Sequence, residues 1–218
     1  MYLSRMYLNP HRRKTRAFLA NPEMLHAAVE CTYHSDPLAE RRSLWRIEKE
    51  ADQVTLYTVT PQVPSFEVLQ EQAGWSQQQT WDSRDYSALL DRLMAGQQYH
   101  FKLTANPTRT VTDTNGKKRR KAEIGPRNQL QWLLSRAEEM GADFGKSVDE
   151  PTAIVTKSQK LEFPNKGNRI TVISCTFEGT LTVTDPQKLQ RVLVEGVGKA
   201  KAYGCGLLTL APIQRVTP

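Results

Sequence analysis

Asp185-Pro186-Gln187-Lys188-Leu189-Gln190-Arg191-Val192-Leu193-Val194-Glu195-Gly196-Val197-Gly198-Lys199-Ala200-Lys201-Ala202-Tyr203-Gly204-Cys205-Gly206-Leu207-Leu208 reads as a helix, a glycine-lysine run and the start of a strand. Asp185 can cap the free N–H groups, and Pro186 suits the first helical position. Leu189, Val192 and Leu193 recur on one helical face. Glycine at 196 or 198 ends the helix as a C-cap, and Leu207 to Ile213 follow as an apolar strand. The same run has a second use. Glycines let a backbone approach a ligand closely, and exposed N–H groups beside Lys199 and Lys201 suit a phosphate. Tight packing at Gly204 and Gly206 is the plainer reading, and the two are compatible.

The second half repeats an order found in the first. Tyr99, Phe101, Leu103 and Ala105 alternate with polar residues, which predicts a half-buried strand. A helix over 126–140 places Leu130, Leu133, Leu134, Ala137 and Met140 on one face. Thr152 to Phe163 and Arg169 to Val183 are two strands around the turn Pro164-Asn165-Lys166-Gly167-Asn168. In the first half, residues 2–9 read as a strand, followed by a basic loop with Arg12, Arg13, Lys14 and Arg16. Asn21-Pro22-Glu23 opens a helix in which Leu25, Ala28, Val29 and Thr32 recur. Leu44 to Lys49 and Val54 to Thr60 form a hairpin around Glu50-Ala51-Asp52. A short helix is expected over Pro64 to Gln70 and a fourth strand over Trp75 to Trp81. Each half is then β-α-β-β-α-β. The fold class is α+β, with two tandem ferredoxin-like (RRM-like) halves. The expected boundary puts one domain at 1–95 and the other at 96–218, with the linker near 82–98.

The chain has 218 residues and a net charge of +7, which favours a polyanionic partner. Its three cysteines, Cys31, Cys175 and Cys205, are scattered and include no CxxC pair, so a zinc cage is not expected and a reducing cytoplasm is. The first residues lack the long apolar region of a secretory signal, and no apolar run reaches membrane-spanning length.

His26 is the leading candidate for chemistry. It lies one position off the apolar stripe of its helix, and Glu23 and Glu30 share its side at i−3 and i+4. Imidazole titrates near neutrality and can give or take a proton, although a helix-surface histidine is more often merely solvated. His11 and His34 lie in loop-like contexts, and His100 is on the polar face of its strand. No HExxH, DxD, GxSxG or Walker A pattern is present, so neither metal ligands nor a cofactor are read from the sequence. The run Lys117-Lys118-Arg119-Arg120-Lys121 follows the turn Asp113-Thr114-Asn115-Gly116. Lys157, Lys160 and Lys166 follow later. Such cations would neutralise several phosphates. No RNP1-like run of spaced aromatics appears, so backbone contacts to a duplex or hairpin are favoured over base stacking on a sheet.

Five segments together resemble the CasE family, the CRISPR-associated endoribonucleases of type I-E systems. They are Met1-Tyr2-Leu3-Ser4-Arg5, Leu19-Ala20-Asn21-Pro22-Glu23-Met24-Leu25-His26, Phe101-Lys102-Leu103-Thr104-Ala105-Asn106-Pro107, Thr176-Phe177-Glu178-Gly179-Thr180-Leu181 and the glycine-lysine run. The resemblance covers essentially the whole chain. It implies tandem ferredoxin-like folds and metal-independent cleavage of precursor CRISPR RNA at the base of the repeat hairpin. The products would be a 2′,3′-cyclic phosphate and a 5′-OH, and the enzyme would stay bound as a subunit of Cascade beside CasA, CasB, CasC and CasD. The family's helix histidine matches His26. Where some members carry a tyrosine, this chain has Glu23, whose charge would favour an imidazolium. Lys157 and Lys160 are implied at the scissile phosphate. Arg109, Lys117 to Lys121 (Lys117, Lys118, Arg119, Arg120, Lys121), Lys166, Gly198, Lys199, Lys201, Gly204 and Gly206 are implied as RNA contacts. Two other readings are a non-catalytic RNA-binding subunit of the same fold and a basic protein that binds nucleic acid through charge alone.

Overall fold

The computed structural model describes residues 1–33, 43–165 and 167–213. Lys166 and His34 lie outside the described residues.

The first half contains β1 (Tyr2–Leu8), α1 (Arg13–Ala20), α2 (Pro22–Glu30), β2 (Leu44–Lys49), β3 (Val54–Thr60), α3 (Glu67–Ala73), β4 (Trp81–Asp85) and the single turn α4 (Ser87–Leu90). Its sheet runs β2-β3-β1-β4, with every neighbour antiparallel. The basic stretch read as a loop is instead helical. Arg13, Lys14 and Arg16 form the outer side of α1, while Thr15 and Phe18, at i and i+3, are buried. Asn21 then separates α1 from α2, and its side chain accepts from the Glu23 N–H at 3.0 Å. The fourth strand also falls later than expected, at Trp81–Asp85, in register with Tyr2–Met6. Residues 75–80 are held as a loop, because the Gln70 amide donates to the Trp75 and Gln78 carbonyls. An edge strand needs no apolar alternation, and β4 is pinned by an ion pair between Arg5 and Asp82 at 3.0 Å. Met6, Leu8, Phe18, Leu25, Val29, Leu56 and Phe66 make the core under this sheet.

The second half contains β5 (Gln98–Ala105), β6 (Thr108–Thr112), β7 (Lys118–Ala122), α5 (Pro126–Leu134), α6 (Ala137–Met140), β8 (Ala142–Asp143), β9 (Ala153–Asn165), β10 (Asn168–Val183), α7 (Pro186–Glu195), a 3₁₀ turn at Lys201–Tyr203 and β11 (Leu208–Pro212). Its main sheet runs β11-β5-β10, with β9 and β8 both on the outer side of β10. Counting its ferredoxin strands as β5, β9, β10 and β11 gives the strand order of the first half, so both halves are ferredoxin-like. The helix expected over 126–140 breaks at Ser135-Arg136 into α5 and α6. The basic run lies on a hairpin of its own, β6–β7, inserted between β5 and α5.

The two halves share a joint. Leu44 and Val59 belong to the same buried cluster as Phe101, Leu103 and Leu207. Arg46 of β2, with 3% of its side chain exposed, donates through Nη1 to the carbonyls of Lys102 and Leu207, both at 3.1 Å. Its Nη2 donates to Glu48 at 2.6 Å and to Thr209 at 2.9 Å. Lys102 Nζ closes the network on Glu48 at 3.0 Å and Glu178 at 3.3 Å. Burial pulls the Arg46 guanidinium below its ordinary value, opposed by Glu48. A buried cation surrounded this fully by acceptors locks one geometry between the halves.

Candidate active site and basic groove

His26 stands where its sequence position predicts, at the edge of the face of α2 that buries Leu25 and Val29. Its side chain is 26% exposed. The indole of Trp45 on β2 donates to His26 Nδ1 at 3.4 Å. Glu30 Oε1, one helical turn along, lies 3.9 Å from the same nitrogen. Glu30 is itself held. Its Oε2 accepts from the Tyr33 hydroxyl at 2.8 Å and its Oε1 accepts from Ser43 Oγ. Burial, and then Glu30, push the Tyr33 hydroxyl up to about 12, so Tyr33 is a donor here. Of the two carboxylates predicted on this side of the helix, it is Glu30 that is paired with the imidazole.

The glycine-lysine run meets this helix. The 3₁₀ turn at Lys201–Tyr203 packs on α2. A Cβ placed on Gly204, whose φ is +77°, would stand 2.6 Å from the Trp45 ring. Trp45, Pro22 and Leu25 from the first half and Lys157, Gln159 and Tyr203 from the second line one cleft of about 240 Å³. Lys157 therefore lies in the cleft beside the His26 helix. Lys160 does not join it. Side chains alternate along a strand, so Lys157, Gln159 and Leu161 share the cleft side of β9 and Lys160 falls on the other, paired with Glu162 at 2.5 Å.

A second depression of about 450 Å³ lies between the β6–β7 hairpin, α5 and the start of the glycine-lysine run. Arg109, Arg120, Arg136 and Lys199 bring cations to it, with Gly198 and Trp132 on its wall. Its carboxylate, Glu123, is 3.3 Å from Arg109. Lys117, Lys118, Arg119 and Lys121 occupy the exposed remainder of the hairpin, where Arg119 pairs with Asp113 at 3.4 Å. The run thus divides two sites, with Gly198 and Lys199 on the groove and Tyr203 and Gly204 on the cleft.

The rest of the run is spent on structure. Gly204 and Gly206 are buried. The Gly206 N–H donates to Thr104 O at 2.6 Å, and the Gly204 N–H to Lys201 O at 3.3 Å. Their amides are turned to protein carbonyls, which is the packing alternative. Lys201 Nζ donates to Glu195 O at 2.5 Å, closing the end of α7. His11 and His100 are exposed, whereas His26 is half-buried; His26 borders the cleft through Trp45 and its helix neighbours Pro22 and Leu25 and is not itself in the lining.

Sequence reasoning did not single out Trp45, Arg136 or Trp132. Trp45 carried only an ordinary strand pattern, and its place beside His26 depends on how β2 crosses α2. Arg136 was hidden inside an expected continuous helix. Among the described residues no group of three or more His, Cys, Asp or Glu side chains is placed to hold a metal ion, and no helix is long and apolar enough to cross a membrane.

A family model described as CRISPR associated protein matches residues 1–212. The CRISPR-associated endoribonuclease Cse3 of Thermus thermophilus is 33% identical over 97% of this chain and 100% of its own length. The Cascade subunit CasE of Escherichia coli K12 is 31% identical over 56% of this chain and 62% of its own. A solved structure of the CRISPR endoribonuclease Cse3 bound to a 19-nucleotide RNA superposes with a TM-score of 0.81 at 32% identity, covering 97% of this chain and 100% of that one.

Proposed function

Because the chain belongs to the Cse3/CasE family of CRISPR-associated endoribonucleases, we propose that it cuts precursor CRISPR RNA at the base of the repeat hairpin and stays on the product as a Cascade subunit. The observation that carries this reading is the full-length match to an endoribonuclease that has been solved with RNA bound. The reaction is a transesterification that uses no metal. The 2′-oxygen attacks the adjacent phosphorus, leaving a 2′,3′-cyclic phosphate and a 5′-OH end. His26 moves a proton. Lys157, in the adjoining cleft, supplies positive charge for the pentavalent phosphate, where preorganised cations contribute most. Arg109, Arg120, Arg136 and Lys199 hold stem phosphates in the groove, and Lys117, Lys118, Arg119 and Lys121 extend that grip along the hairpin. Lys160 adds to the local field. The domain of residues 1–95 brings the proton-transfer group and that of 96–218 most of the RNA contacts. The reaction takes place in the cytoplasm, which matches three free thiols.

The test is cleavage of a CRISPR repeat RNA in EDTA by the wild type and by His26→Ala. Cleavage by the wild type, lost in the variant with binding retained, is expected. Equal cleavage by both removes His26 from the chemistry, and no cleavage by either leaves an RNA-binding subunit. A substrate with hydrogen in place of the scissile 2′-OH must bind and remain whole.

A further inference from the structure

The surroundings of His26 go beyond naming it. Its Nδ1 is bracketed by a group that can only donate, the Trp45 indole N–H at 3.4 Å, and one that can only accept, the Glu30 carboxylate at 3.9 Å. While the indole donates, Nδ1 carries no hydrogen, so the neutral ring keeps its proton on Nε2. A second proton then enters at Nδ1, where Glu30 is the acceptor. In either state the nitrogen away from Trp45 and Glu30 carries a hydrogen. Glu30 is not a loose surface carboxylate, since Tyr33 and Ser43 engage its two oxygens from outside α2.

We propose that Glu30 is a positioning residue that makes His26 the proton donor to the leaving 5′-oxygen, an inference that rests on His26 being the catalytic residue. In the step, the 2′-oxygen bonds to phosphorus and gives its proton to solvent water. The P–O5′ bond breaks, its electron pair stays on O5′, and O5′ takes the Nε2 proton of the imidazolium. The ring is left neutral with its remaining hydrogen on Nδ1, which Glu30 holds. The distance of 3.9 Å is longer than a hydrogen bond, and such contacts tighten when substrate is bound. Glu30 thus stabilises both the charged donor and the tautomer it becomes, while Trp45 fixes the ring in the absence of RNA.

The test compares two repeat hairpins in single-turnover cleavage, one with the natural 5′-oxygen at the scissile bond and one with sulfur in its place. A thiol, with a pKa of about 8.5, leaves as the anion and needs no proton. Glu30→Gln is expected to slow the oxygen substrate on the order of 10- to 100-fold, part of what a proton donor contributes, with RNA affinity unchanged. The sulfur substrate is expected to restore its rate to near that of the wild type. Tyr33→Phe, which removes one hold on Glu30 but leaves it charged, should show a smaller loss with the same rescue. The oxygen-to-sulfur ratio is read on one preparation, so partial misfolding cancels. Equal slowing on both substrates means a structural role for Glu30, and unchanged rates mean none; either overturns the proposal. His26→Ala keeps the two levels apart. Full activity on the oxygen substrate would remove the catalytic reading itself. An inactive His26→Ala beside a fully active Glu30→Gln would remove only the role of Glu30.

Discussion

Trp45 lies against Gly204 so closely that a single methyl group would not fit between them, the built Cβ standing 2.6 Å from the ring. The same indole donates to His26, so one side chain connects the C-terminal run to the helix of the first half. Gly204→Ala meets two penalties. Its left-handed backbone costs about 1–2 kcal/mol for a residue with a Cβ. Displacing Trp45 adds about 1–3 kcal/mol of overpacking. Urea unfolding should show a loss of about 2–5 kcal/mol. Single-turnover cleavage should fall more than RNA affinity, because the displaced group contacts His26. Gly116→Ala, also left-handed but with nothing within 4 Å, should cost only the backbone penalty and leave cleavage unchanged.

The joint between the halves has a pH signature. Burial pushes the Glu48 carboxyl up, but Arg46 and Lys102 more than offset it and hold it below its ordinary value of 4.5. A carboxylate depressed in the folded state stabilises fully above its unfolded pKa, and that contribution fades as pH falls through the folded value. Stability measured by urea unfolding should therefore drop as pH is lowered below about 4.5, and Glu48→Gln should flatten that part of the profile. Arg46→Met at neutral pH should cost about 3–5 kcal/mol, since it removes the buried donor to the Lys102 and Leu207 carbonyls and leaves Glu48 with Lys102 alone. An unchanged midpoint for that variant would contradict the locking role.

The three thiols should separate cleanly. Burial pushes Cys175 and Cys205 up to about 12, whereas Cys31 is exposed. A thiolate-specific reagent at neutral pH should modify one cysteine quickly in the native protein and the other two only on unfolding. Fast modification of a second thiol would mean that the second-half core opens readily.

Groove cations and braced cations should differ in salt dependence. Replacing Arg109, Arg120, Arg136 or Lys199 singly by alanine should weaken hairpin binding. The slope of log affinity against log salt should become shallower by about 0.7–0.9 for each phosphate that is no longer neutralised. Lys201→Ala should leave that slope alone and lower the unfolding midpoint, because its Nζ closes the end of α7. Filter binding across a salt series distinguishes the two classes.

The order of elements was legible because its signals are local. Asn21-Pro22 and Asp185-Pro186 mark helix starts through hydrogen bonds that span two or three residues, and both caps form. Alternation along residues 99–105 marks a strand regardless of its partner. Errors arose where a local pattern is ambiguous. Charges on Arg13, Lys14 and Arg16 masked the buried pair Thr15 and Phe18. The polar strand at Trp81–Asp85 had no apolar face to reveal it, because an edge strand needs none.

By itself, then, the sequence determined two β-α-β-β-α-β units, the helix that carries His26 and the excess of positive charge. Only the tertiary structure decided that Lys157 joins the cleft while Lys160 turns away, that Glu30 is paired with the imidazole, and that the glycine-lysine run separates groove from cleft. The physical reason is range. Caps and periodicity act over a few residues, whereas these placements follow from the docking of two sheets around buried Arg46, which joins β2 to carbonyls at Lys102 and Leu207 far along the chain.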